Sequence, residues 1–180
     1  MKKRLRDLVP PWTDGKTQRT ICLLVLMGCA LFSLWAFHME MTQAINIVCI
    51  WKDATERVFL PNVMMHDFVT LLGPLWVLLW VPAITAALMA AFNYSGFSQG
   101  SKSVYLMRRL PDRWELARRC LTLPLVTLAL SVVLFSLVLW FCWFVYTHVV
   151  PAENIPPDQW AKVWANLHRI LLPSLDWRYY

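Results

Sequence analysis

Few short patterns in this chain contain residue types that could do chemistry. Gly15-Lys16-Thr17 has the residues that end a phosphate-binding loop. That loop needs a further glycine five positions before its last one, and this chain has Pro10 there. We therefore predict no nucleotide site here, so an ATP-driven process would need a separate ATPase.

Soft metal ligands form a second pattern, on either side of the connection between the first two apolar segments. These ligands are His38, Met39, Met41, Cys49, Met64, Met65 and His66. Sulfur and imidazole groups suit copper. However, no Met-x-x-Met or His-x-His spacing occurs, and most of the eight methionines of so apolar a chain are expected to pack. Copper handling is therefore the least favoured function, and no resident metal is predicted.

Catalytic side chains do not form a recognisable set. No Ser/His/Asp arrangement is evident, and four of the five cysteines fall within or at the ends of apolar segments. No carboxylate lies inside those segments, whereas a proton-coupled transporter usually needs one as a relay. No polar pocket is evident in the spans beyond scattered Ser and Thr residues and Asn93. We expect neither an enzyme nor a cofactor bound to this chain.

The apolar segments are the elements that must position any functional residue. Apolar residues make up 58% of the 180 residues and charged residues only 16%, with eleven tryptophans. A bilayer crossing needs about 20 apolar residues. Three uncharged stretches satisfy this, and they predict spans at about 20–39, 68–92 and 120–150. We read the first as a retained helix because no clear signal-peptidase site follows it. The fold class predicted is an all-α integral membrane protein.

Smaller features of the spans predict their shape. Pro74 and Pro82 lie inside the second span and are expected to kink one continuous helix. Pro124 is placed near the start of the third span, where proline is tolerated. The apolar stretch 44–51 leaves two possibilities open: the first helix continues outward, or the chain bends onto the membrane surface.

Basic residues predict the orientation of the chain. The leader 1–19 and the connection 93–119 each carry six basic and two acidic side chains, a net charge of +4. The connection 40–67 is at −2, and the tail 153–180 is neutral. Cytoplasmic loops are enriched in Lys and Arg, so the N-terminus is predicted inside and the C-terminus outside the cell membrane. Orientation and anionic lipid explain the net charge of +6 without a nucleic-acid partner.

The tail 151–180 is predicted to hold an outer amphipathic helix. Pro151 and Pro156-Pro157 precede it, and Asp158 can act as its N-cap. Gln159, Lys162, Asn166 and Arg169 form a polar side. Apolar residues recur at helical spacing and include Trp160, Val163, Trp164, Leu167, Ile170 and Leu171. The lipid surface and a protein partner remain equally good explanations of this helix.

The connection between the second and third spans is the most informative segment. Ser101 or Ser103 can cap a short helix that Pro111 ends after Leu110. Asp112 can then cap a second helix, with Glu115 in the capping-box position, that continues into the third span. The short helix would lie on the inner membrane surface. A simple basic turn at the interface is the alternative.

The residues of this connection resemble those of a known family. The order Gly100-Ser101, Tyr105-Leu106-Met107, Leu110-Pro111 and Asp112-Arg113-Trp114-Glu115 is similar to the coupling region of ABC exporter permeases of the ABC-two type. In that family a short cytoplasmic coupling helix joins the second and third spans. The basic leader before the first span also fits. This chain departs from the family in having Gln99 where an acidic residue usually stands.

The resemblance implies a function and a set of contact residues. It implies a permease subunit that couples ATP hydrolysis by a separate ABC ATPase, which binds ATP and Mg, to substrate movement. Typical family permeases have six spans, so a further permease subunit or a second copy would join this chain in the bilayer. The implied ATPase-contact residues are Ser101, Tyr105, Leu106, Arg108, Arg109, Leu110, Pro111, Asp112 and Arg113. The alternative is a small accessory or regulatory protein of a larger membrane complex.

Overall fold

The computed structural model describes residues 15–53, 56–60, 63–73, 75–98 and 113–167. Within these ranges the chain is mostly helical. The helices are α1 (Gly15–Val48), α2 (Phe68–Leu71), α3 (Val77–Ser98), α4 (Arg113–Val149) and α5 (Gln159–Ala165). Strands β1 (Cys49–Asp53) and β2 (Glu56–Phe59) form a hairpin, and a 3-10 turn covers Ala152–Asn154.

Three of the helices are long and apolar enough to cross a membrane. The candidate spans cover Gly15–Val48, Val77–Ser95 and Cys120–Val149. No more than 28% of the residues in the most apolar stretch of each are buried by protein. Leu24, Leu88 and Leu137 are each more than half exposed. So much exposed apolar surface is typical of helices surrounded by lipid. The prediction of three long apolar helices that could span a membrane is confirmed, and these helices suggest a multi-pass membrane protein.

The second span begins later than its apolar composition predicted. The apolar run starts at Phe68, but residues 68–71 form the separate helix α2, and α3 starts only at Val77. Gly73 has φ +48, a left-handed conformation that interrupts a helix and that glycine adopts at little cost. The predicted continuous helix kinked at Pro74 was therefore wrong. Pro82 does lie inside α3.

The first helix continues past the predicted span. It ends at Val48, so the stretch from Ala44 onward extends the helix before the chain turns into β1. Strands β1 and β2 then pair antiparallel, with Cys49 opposite Phe59 and Ile50 opposite Val58. The sequence analysis did not predict this hairpin, although each strand contains one β-branched and one aromatic residue, types that favour strands.

The third span belongs to one continuous helix. Helix α4 begins at Arg113, directly after the predicted cap Asp112, and runs to Val149, so the predicted link into the span is present. Its 37 residues measure about 55 Å at the usual rise of 1.5 Å per residue. Pro124 lies well inside this helix rather than in its first turns. Residue 124 therefore has no N–H to give to the carbonyl one turn earlier.

The chain divides into two compact units. Of the described residues, the first unit contains 15–28, 79–98 and 113–133, and the second contains 29–53, 56–60, 63–73, 75–78 and 134–167. The core of the second unit is aromatic. The fully buried ring of Phe68 meets those of Phe37, Trp143 and Tyr146 at centroid distances of 6.5, 5.2 and 5.5 Å.

Helix α5 begins where the sequence predicted it. Asp158 precedes its first residue, but Asp158 has φ 56 and makes no side-chain capping hydrogen bond. The expected capping by its carboxylate is therefore absent. The helix ends at Ala165, and the chain is described to Leu167. The later residues of the predicted amphipathic pattern, from 168 onward, lie outside the described residues.

Candidate functional site

The predicted ATPase-contact residues lie almost wholly outside the described part of the chain. Arg113 is the first residue of α4, and the structure describes its backbone alone. The remaining contacts stay predictions and comprise Ser101, Tyr105, Leu106, Arg108, Arg109, Leu110, Pro111 and Asp112. The structure does describe the two helices from which this segment extends. Residues 99–112 join the end of α3 at Ser98 to the start of α4 at Arg113.

A buried polar group links these two helices to α1. The side chain of Asn93, in α3, is almost completely buried, with 1% of its surface exposed. Its Oδ1 accepts a hydrogen bond of 2.8 Å from Nε2 of the buried Gln18 in α1. Its Nδ2 donates a longer one, of 3.5 Å, to the backbone carbonyl of Cys120 in α4. We call Gln18, Asn93 and the Cys120 carbonyl the amide clamp.

Pro124 explains why the Cys120 carbonyl can take part. In a regular helix the N–H of residue 124 would bond to the carbonyl of residue 120. Proline has no N–H, so the carbonyl of Cys120 loses its usual intrahelical partner. In a membrane-spanning helix a freed carbonyl needs a substitute donor, because lipid supplies none. The amide of Asn93 fills that role, and the clamp is therefore matched to the proline in α4.

A second contact lies one turn away from the clamp. The thiol of Cys22, four residues after Gln18, contacts Sδ of Met89, four residues before Asn93, at 3.4 Å. As α1 advances by one turn its partner residues in α3 recede by one turn, so the two helices run antiparallel here. The contact is soft and apolar in character. The directional bonds of the clamp therefore fix the register of this packing.

One acceptor of the clamp is incompletely satisfied. Oε1 of Gln18 is buried and has no hydrogen-bond partner. Such groups are unfavourable in a low-dielectric interior, and removing the remaining bond of Gln18 would strand the whole amide. The clamp is accordingly a sensitive structural joint. With neutral amides and a backbone carbonyl, it can position helices but offers no nucleophile or general acid.

The polar side chains of the second unit form a different arrangement. Asn154 Nδ2 donates to the carbonyls of Leu60 and Val63 at 3.1 and 2.8 Å. The side-chain oxygen Oε1 of Gln159 accepts a hydrogen bond of 2.7 Å from the backbone N–H of Phe68, at the start of α2. These amides satisfy backbone groups of the segment that leads into α2. They hold the chain after α4 against the chain before α2.

An ion pair completes this arrangement. Nζ of Lys162 lies 2.6 Å from Oδ1 of Asp67, and Gln159 Nε2 donates to the same oxygen at 3.2 Å. Both charged side chains are more than one third exposed. The hydrogen bond from Lys162, supported by that from Gln159, lowers the pKa of the Asp67 carboxyl below its ordinary value. The pair therefore favours the ionised carboxylate over the neutral one.

The soft-ligand pattern of the sequence can be compared with the described residues. No group of three His, Cys, Asp or Glu side chains there could hold a metal ion. The neighbouring methionines of the sequence pattern diverge, since Met65 is buried and Met64 is 59% exposed.

Comparison with known proteins adds no identification. No protein family, curated protein or solved structure matches the chain.

Proposed function

We propose that the chain is a three-span membrane subunit of an ABC-type transporter, driven by a separate ABC ATPase. The observation that carries the proposal is the basic Leu-Pro segment at 100–115, placed between two spanning helices whose adjoining ends meet at the amide clamp. The order of residues in this segment is similar to that of a coupling region. Its position gives such a region two helices on which to act.

The proposed mechanism is mechanical. The ATPase would close on ATP and displace a short coupling helix at about Ser101–Leu110. Helix α4 starts directly after this segment and is continuous to Val149, so a displacement at Arg113 would pass along its length. Asn93 lies near the other end of the segment and bonds to both α4 and α1. All three spanning helices would thus respond together.

The proposed contacts at the ATPase divide by chemistry. Tyr105, Leu106 and Leu110 would supply the apolar docking face, and Arg108, Arg109 and Arg113 would contact the ATPase or lipid phosphates. Burial of apolar anchors gives most of the affinity at a protein interface, while charges at its rim mainly steer association. Leu106 and Leu110 are therefore the residues whose replacement is expected to matter most.

The proposed topology follows from charge. The leader and the segment 93–119 carry a net charge of +4 each, and both belong on the cytoplasmic side. This leaves the hairpin and α5 outside the cell membrane. The exposed apolar surface of the spans leaves room for a further permease subunit or a second copy beside the lipid.

Native purification tests the proposal. The tagged chain is extracted from its host in mild detergent, and the co-purifying proteins are identified by mass spectrometry. We expect an ABC ATPase with the unaltered chain, and its loss from the Leu106→Glu/Leu110→Glu variant. Met64→Glu is the control, because Met64 is exposed and lies outside the spans.

Two results would count against the proposal. One is the absence of any ATPase from the unaltered chain, and the other is its unchanged recovery with the double variant. Recovery of a membrane complex without an ATPase would favour the accessory subunit instead.

A further inference from the structure

The polar and apolar sides of helix α5 are reversed relative to those of a surface helix in a water-soluble protein: its polar side faces inward and its apolar side faces outward. Its Gln159 is 4% exposed, and Lys162 is turned towards Asp67. Its outward side consists of Trp160, Ala161, Trp164 and Ala165, all exposed. A helix that lies between a protein core and water normally shows its polar side outward. Here the outward side of the described helix carries no charge.

The inward polar groups of α5 have partners within the protein, although Lys162 and Asp67 stay partly exposed. The Gln159 amide is used on both sides, with Oε1 accepting from Phe68 and Nε2 donating to Asp67 and to the Pro156 carbonyl. The Lys162 ammonium is neutralised by Asp67. Val163, which is 2% exposed, completes the inward side. The orientation of α5 is therefore set by specific bonds, and the two tryptophans face outward as a consequence.

The position of α5 follows from an aromatic contact. The rings of Trp160 and Trp143 lie 5.0 Å apart. Trp143 precedes the end of α4 at Val149 by six residues, or about 9 Å of helix. The chain thus turns back after α4 and brings α5 beside its last turns. It does not project away from the spanning helix.

The neighbouring surface of α4 is itself an exposed aromatic band. Trp140 is 64% and Phe144 45% exposed, and their rings stack at 6.0 Å. Phe144 in turn contacts the ring of His148 at 3.9 Å. Aromatic residues are concentrated at the ends of spanning helices, where their amphipathic rings lie at the level of the lipid headgroups. Trp143, which the ring of Trp160 contacts, lies on α4 between Trp140 and Phe144 in sequence and inside the same candidate span.

We propose that the outward side of α5 lies in the membrane interface and is covered by phospholipid. Trp160 of α5 contacts Trp143, which lies inside the candidate span of α4. The outward side of α5 therefore lies beside the membrane part of α4, where lipid is present. A partner's soluble domain would have to enter the membrane to cover it. The indole of Trp164 would insert its ring among the upper acyl chains and turn its N–H to the headgroups. This assignment does not depend on ABC transport.

Photocrosslinking tests the occupant directly. The photoreactive residue p-benzoylphenylalanine replaces Trp164 in the full chain, and native membranes are irradiated. Mass spectrometry of the purified chain then identifies what is attached. We expect phospholipid adducts as the main product at residue 164. The same replacement of Glu153, which is exposed outside the spans, should give several-fold fewer lipid adducts.

A second measurement covers the possibility that replacement disturbs α5. In phospholipid nanodiscs, tryptophan fluorescence of the unaltered chain is compared with that of Trp164→Phe. The difference is expected to be quenched more by lipid spin-labelled near the headgroup than by aqueous iodide. Protein crosslinks at residue 164, or stronger quenching by iodide, would overturn the proposal.

Discussion

Replacement of Asn93 by leucine should reveal the amide clamp as an energetic unit. The change keeps the approximate volume and removes both hydrogen bonds, at 2.8 Å to Gln18 and at 3.5 Å to the Cys120 carbonyl. It also strands the Gln18 amide, whose Oε1 is already unpaired. Side-chain hydrogen bonds between membrane helices are worth only about 0.6 kcal/mol on average. A stranded buried polar group costs about 1–3 kcal/mol.

Together these magnitudes predict that Asn93→Leu lowers the free energy of unfolding by about 1–2 kcal/mol. This value lies between the cost of losing one membrane hydrogen bond and the cost of a fully stranded amide. Unfolding by SDS titration in mixed micelles measures it. Tyr94→Leu is the matched control. Tyr94 is next to Asn93 in sequence, but its side chain is 64% exposed, so we expect almost no change in the free energy of unfolding.

A double-mutant cycle tests the physical reason. Gln18→Leu alone should also destabilise the fold, because Asn93 then loses its partner. The double variant should cost less than the two single variants combined, with a coupling of about 1 kcal/mol, since no amide remains stranded. Equal losses for Asn93→Leu and Tyr94→Leu, or additive single costs, would refute the reasoning.

Three further predictions concern other bonds of the structure. Pro124→Ala returns an N–H to the Cys120 carbonyl, so the cost of Asn93→Leu should be smaller in that background, as the same SDS titration would show; an unchanged cost would contradict the role given to proline. The Asp67–Lys162 pair should stabilise the fold at neutral pH and lose its contribution as the pH falls through the lowered pKa of Asp67. Melting curves from pH 7 to about pH 3 should show this loss, below about 1 kcal/mol for so exposed a pair, and Asp67→Asn should remove it. Gln159→Leu strands the buried Phe68 N–H and should cost about 1–3 kcal/mol in thermal unfolding, whereas Trp164→Leu should cost much less; similar costs would refute the assignment.

Charge and hydropathy predicted the spans because lipid excludes charge regardless of tertiary structure. The same criterion could not find the break before α3. Residues 68–76 are as apolar as a span, yet α2 ends at Leu71 and Gly73 has a left-handed conformation before α3 begins at Val77. The hairpin was missed for a related reason. Its residues follow a long apolar helix without a strong turn pattern, and pairing of Cys49 with Phe59 is a property of the folded chain.

The amide clamp depended on contacts that no local pattern contains. Asn93 stood out in the sequence only as one of a few scattered polar residues. Its partners are 75 and 27 residues away, so their meeting depends on helix register. One indication was available: Pro124 in an apolar span implies a freed carbonyl at Cys120, and a buried amide elsewhere is a natural donor. The polar side of α5 was predicted from the sequence. Its inward orientation was not, because it depends on bonds to Asp67, which is more than 90 residues away in the chain.

The proposed function requires residues 101–110 to dock on an ATPase. The most direct measurement places p-benzoylphenylalanine at position 106 of the full chain, with position 64 as the control, and irradiates native membranes. We expect a covalent adduct between position 106 and an ATP-binding subunit, and none from position 64. Adducts from position 106 to lipid alone, or to a protein without a nucleotide-binding domain, would contradict it.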